Sequence, residues 1–140
     1  MNKRPYLIEN RLADVLALIQ ILGLYTFAHR SNGGIQRESQ ALPKSAKDWD
    51  QVALEHPEFF RVIKSKEESI SLIARHSQPS DGGAGYSRLS LDLVTKLMET
   101  AIKIHDSQLN SSREWTFWLP VVGAFIGVII AKLIPFGTGN

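Results

Sequence analysis

The chain has 140 residues, with 16 Lys and Arg against 14 Asp and Glu, four histidines and no cysteine. A net charge of +2 lacks the concentrated basic footprint of a strong nucleic-acid binder. The absence of cysteine excludes a disulfide framework and thiolate chemistry.

The N-terminus begins with Lys3 and Arg4, but Glu9, Asn10, Arg11 and Asp14 interrupt the apolar run that follows. A signal-peptide core would not carry those charges, so no cleaved signal is expected. Residues 7–24 read as the first helix. Leu12, Val15, Leu16, Ile19 and Leu22 recur at helical spacing, and Glu9, Arg11, Asp14 and Gln20 are expected mostly off that face. Gly23 suits a stop or a close packing point, and Tyr25 and Phe27 would add bulk to the same core.

Ser31-Asn32-Gly33-Gly34 is a turn signal, after which a short helix over residues 35–41 would stop ahead of Pro43. Ser45 makes an N-cap for a third helix, with Asp48 standing in for the capping-box acid. Trp49, Val52 and Ala53 share one face of it, and Pro57 ends it. The period then changes. Residues 59–63 and 70–74 are short runs of β-formers separated by the polar stretch 64–69, a β-hairpin pattern in which Phe60, Val62, Ile70, Leu72 and Ala74 alternate with outward partners.

Helix, short helix, capped helix and hairpin follow the order of a winged-helix domain, and residues 7–76 resemble one. The passage Trp49…His56-Pro57-Glu58-Phe59-Phe60-Arg61 also looks similar to small bacterial proteins that end in a single membrane segment. The resemblance implies a fold and no activity. In a helix-turn-helix reader the third helix would face DNA. Here Lys44, Lys47, Gln51, Lys64 and Lys66 form the candidate partner or DNA face, but Asp48, Asp50, Glu55, Glu67 and Glu68 offset them. Nucleic acid is therefore not the favoured partner.

Residues 77–88 read as a flexible linker rich in Ser, Pro and Gly. Gly82-Gly83-Ala84-Gly85 lacks the Lys-Ser/Thr of a phosphate loop. Residues 89–113 form an amphipathic helix or stalk capped by Ser90. Its seam is Val94, Leu97, Ala101 and Ile104, widened by Leu93, Met98, Ile102 and Leu109. It is either the last core helix of the soluble domain or a self-associating stalk.

Residues 114–134 carry the apolar run Trp115–Ile134, whose length of roughly 30 Å matches a bilayer core. Trp115, Phe117 and Trp118 suit one membrane interface and Lys132 the other. Gly123, Gly127 and Ala131 are spaced for helix–helix packing. Residues 135–140 follow as a short tail.

No catalytic, cofactor-binding or metal-ligating constellation is legible. The four histidines are scattered, His56 at a helix end suggests a capping or surface role, and no nucleophile elbow is present. The expected fold class is mainly α with one β-hairpin: a winged-helix-like N-terminal domain, a long helix and a single C-terminal transmembrane helix. The expected function is non-enzymatic. It is a tail-anchored membrane interaction and assembly protein with no cofactor, its soluble domain in the cytoplasm. Its partners would be the bilayer, a second copy and a cytosolic protein. The alternatives are a membrane-tethered DNA-binding regulator and a small membrane-perturbing or pore-forming effector.

Overall fold

The structure is a computed structural model that describes residues 4–64, 68–78 and 86–111. It is mainly helical, with a small antiparallel sheet of three strands. A short 3-10 turn at Pro5–Leu7 leads into α1, Arg11–Leu24. Then come β1 (His29–Arg30), α2 (Asn32–Ser39), α3 (Trp49–Glu55), β2 (Phe60–Ile63), β3 (Ser69–Leu72) and α4 (Ile73–His76). Residues 91–111 form a last helix, α5.

The core gathers around α1. Val15, Leu18, Ile19 and Leu22 are fully buried with Ile35 of α2 and with Trp49, Val52 and Ala53 of α3, on the shared α3 face expected from their spacing. From the sheet come Phe60, Ile70 and Leu72. Pairing sets Phe60 opposite Leu72 and Val62 opposite Ile70, as the alternation predicts, but Ser71, expected to face outward, is fully buried in the central strand. The sheet order is β1-β3-β2.

Several local expectations shift, each for a physical reason. α2 starts at Asn32 rather than residue 35, because the Ser31 hydroxyl accepts from Gly34 N at 3.2 Å and caps the helix early. The Asn32 side chain accepts from Trp49 N at 2.9 Å, tying the start of α2 to that of α3. Asp48, not Ser45, caps α3, accepting from Gln51 N at 2.8 Å. Ser45 is engaged elsewhere. β3 stops at Leu72, and Ala74 falls in α4. β1 has two residues, too short for any period to show.

α5 runs antiparallel along α1. At one end Leu89 N donates to Gly23 O at 3.0 Å, and at the other Tyr6 N donates to Gln108 Oε1 at 3.2 Å. Gly23 is a close packing point: a Cβ there would meet Val94 Cγ2 at 2.8 Å. Val94 and Ala101 are buried in the shared core, with Leu97 and Ile104 packed against it. The seam is therefore covered by the chain's own domain. Among the described residues no helix is long and apolar enough to cross a membrane. Trp115, Phe117, Trp118, Gly123, Gly127, Ala131 and Lys132 lie outside the described residues.

Candidate functional site

Arg11 and Asp14, expected off the core face of α1, are 1% and 6% exposed. The Asp14 carboxylate accepts from Lys44 N at 3.1 Å and Ser45 N at 2.7 Å. Arg11 Nε donates to Ser45 Oγ at 2.8 Å, its Nη2 donates to Ser45 O at 3.1 Å, and Nη1 pairs with Glu55. Two charges thus clamp the loop before α3 onto α1 and fix the angle at which α3 leaves the core. Burial would push the Glu55 carboxyl up, but hydrogen bonds from Gln51 and Arg11 and the Arg11 charge hold it below the usual range. The pattern was present in the sequence. Arg11, Asp14 and Leu18 recur at helical spacing, so the two charges share a face with Leu18.

That clamp decides what the predicted partner face contains. Lys44 and Lys47 sit exposed in the loop rather than on α3. The Gln51 side chain accepts from Lys47 N at 3.2 Å and donates to Glu55 Oε1 at 2.9 Å, so its amide is committed within the face. Lys64 is exposed, and Lys66 lies outside the described residues. Carboxylates stand among these lysines. Burial raises the Asp50 carboxyl pKa first, and the charges of Asp48 and Glu68 raise it further, so the helix start and the hairpin bring three acids together. Leu54, about half exposed, lies on the same helix.

A second cluster closes the other end of α3. His56, expected in a capping or surface role, is the C-cap residue of α3 but fully buried, with its ring edge-on to Tyr6 at 4.3 Å. Its Nδ1 lies 2.9 Å from Glu58 Oε1, which also accepts from the Tyr6 hydroxyl at 2.8 Å. A carboxylate only accepts, so Nδ1 carries the proton, and Nε2 is buried with no partner among the described residues. Burial would raise Glu58, but bonds from His56, its own N–H and Tyr6 outweigh it and lower the carboxyl. Tyr6 is pushed far up by its own burial and by Glu58.

The third cluster is built on Arg75, fully buried at the C-terminal end of α1. Nη1 donates to the carbonyls of Leu22 (3.0 Å), Tyr25 (2.7 Å) and Phe27 (3.1 Å). Nη2 donates to those of Thr26 (3.2 Å) and Tyr86 (2.7 Å). One guanidinium satisfies the carbonyl end of a helix and joins it to the segment leading into α5. Tyr25 and Phe27 are thereby turned outward, 43% and 63% exposed, rather than adding to the core. Arg30, ion-paired with Glu38, lies over both rings at 5.1 and 5.5 Å.

Beside it, two histidines distant in sequence meet. The rings of His29 and His76 are 5.4 Å apart, Tyr86 packs edge-on to His76 at 4.4 Å, and His76 Nε2 lies 3.0 Å from Ser71 Oγ. Burial lowers the His76 pKa, and His29, Arg61 and Arg75 lower it further. Ser71 is fully buried, which denies a substrate access to the Ser71–His76 pair. Among the described residues no group of three or more His, Asp or Glu could hold a metal ion.

No protein-family model, curated protein or solved structure matches the chain.

Proposed function

We propose that this protein is a membrane-tethered interaction module, a winged-helix-like domain that docks a cytosolic protein while Trp115–Ile134 holds it to a bilayer. The element order and the β1-β3-β2 sheet support the winged-helix-like assignment. The observation that carries the docking reading is the charge of α3 and the neighbouring hairpin. This is the surface a winged helix lays on DNA. Here it presents Asp48 and Glu68 close enough to Asp50 that, after burial, their charges raise its carboxyl pKa. Such a face opposes phosphates and suits a basic, partly apolar protein surface against Leu54.

The test is membrane fractionation with affinity capture of the intact chain, with and without Trp115–Asn140. The intact chain should sediment with membranes and the truncated one should not. A captured protein should be lost on Asp50→Lys or Leu54→Arg, both partly exposed positions. Retention of duplex DNA by the intact chain at low salt, weakened by changing Lys44 and Lys47, would replace this reading with the tethered regulator.

A further inference from the structure

α5 carries two heptad-spaced stripes; its own domain covers one and reaches only Met98 of the apolar residues of the other. Val94, Leu97, Ala101 and Ile104 pack on the core. Leu91, Thr95, Met98, Ile102, His105 and Leu109 recur in alternating steps of four and three residues, as a coiled-coil seam does. Leu91, Ile102 and Leu109 remain 70%, 39% and 41% exposed. Single exposed leucines are ordinary, but a heptad-spaced row over five turns of one helix is not.

We infer that this second stripe is the pairing face for another copy of the chain, with the two α5 helices parallel and in register. The proposal rests on the tethered reading for direction, because chains whose C-terminal runs enter one membrane lie parallel. Independent support comes from the flanks. On one side of the stripe stand Asp92, Glu99 and Asp106, seven residues apart. Lys96 pairs with Asp92 at 2.8 Å from the outer side, and His105 Nδ1 lies 3.2 Å from Asp106. On the other side stand Val94, Ala101 and Gln108, engaged with the domain.

Antiparallel pairing would set the acidic row against its own copy, Asp92 facing Asp106 and Glu99 facing Glu99. Parallel pairing sets each acid against the uncharged flank of the other helix. In register, every layer then meets its like, so the polar layers at Thr95 and His105 are not opposed by an apolar side chain. Five turns of contact fall below the area of a freestanding dimer, and confinement to one membrane raises the effective concentration that makes up the difference.

The chain has no cysteine, so one introduced thiol reports directly. The experiment is oxidative crosslinking of the full-length chain in its native membranes. Leu91→Cys, Ile102→Cys and Leu109→Cys should each give a covalent dimer, at least several-fold above the off-stripe control Lys103→Cys. Adding Ile102→Glu to Leu109→Cys should remove that dimer while the helix content, read by circular dichroism, is retained. If Leu91→Cys crosslinks only to Leu109→Cys in a mixture, the pair is antiparallel and the proposal fails. If the stripe positions do no better than Lys103→Cys, another partner or the chain's own Trp115–Ile134 covers the stripe and the proposal is overturned. Sedimentation of the same samples reads the tether separately. Dimers in a soluble fraction would keep the pairing face and remove the tether.

Discussion

Arg75 offers the most decisive test of how this fold is held together. Changing it to Met keeps the bulk of the stem and removes a guanidinium that donates to the carbonyls of Leu22, Tyr25, Thr26, Phe27 and Tyr86. A net value of about 1 kcal/mol per bond gives an upper figure near 5 kcal/mol. The carbonyls at the exposed residues 25–27 regain water when the arginine is gone, so about 3–4 kcal/mol is the expected loss. That is a large share of a small domain's stability. The thermal midpoint should fall on the order of 15–25 °C, followed by circular dichroism of the full chain in mild detergent. Arg75→Lys should lose about half as much, because one ammonium cannot span both groups of carbonyls. The opposing consideration is that Arg75 is a buried charge with no carboxylate partner among the described residues. If its desolvation outweighed its hydrogen bonds, Arg75→Met would be neutral or stabilising. A midpoint within about 3 °C of the parent would refute the hub argument.

The remaining predictions follow from the same contacts. Gly23→Ala gains helix propensity but drives a methyl into Val94, and should destabilise by about 1–2 kcal/mol in denaturant titration. Val94→Ala added to it should recover part of that loss, with a coupling of at least about 0.5 kcal/mol. The lowered His76 pKa means that the unfolded chain binds more protons near pH 6. Stability should therefore be full above about pH 6.5, fall as pH drops through the unfolded value toward the folded one, and level off below it. His76→Gln should flatten that segment alone. The lowered carboxyls of Glu55 and Glu58 give a second window, with stability present above about pH 4.5 and lost as pH falls below it. Tyr6→Phe removes one donor to Glu58 and should cost about 1 kcal/mol while narrowing that acid window, both read from melts across pH.

Much of the helical framework was legible because periodicity is a local property. The buried face of α3, most of that of α1, the pairing of the hairpin and the Ser90 cap of α5 follow from spacing and residue type; Leu18 and the buried Ser71 do not. The candidate surfaces were less legible. Spacing placed lysines near α3, but whether Lys44 and Lys47 stand on the helix depends on where it starts. That start depends on a contact between Ser45 and α1 across some thirty residues. The scatter of histidines along the chain likewise hid the approach of His29 to His76, which exists only because β1 pairs with β3 and α4 turns back over the sheet.

The sequence by itself determined the main helices, the hairpin strands and much of the inward-facing apolar set, because a 3.6-residue or two-residue period records one-sided burial directly; β1, α4 and the outward turn of Tyr25 and Phe27 were left to tertiary contacts. It also marked Trp115–Ile134 as a long apolar run. Tertiary structure alone decided the roles of the charged residues. Arg11, Asp14 and Arg75 are buried because each finds oxygen or nitrogen partners on another segment, and no local rule announces a partner 30 or 50 residues away. It also decided which of the two stripes on α5 is spent on the core. Both have helical spacing, and the close approach allowed by Gly23 sets Val94 and Ala101 against α1 while Leu91, Ile102 and Leu109 of the other stay exposed.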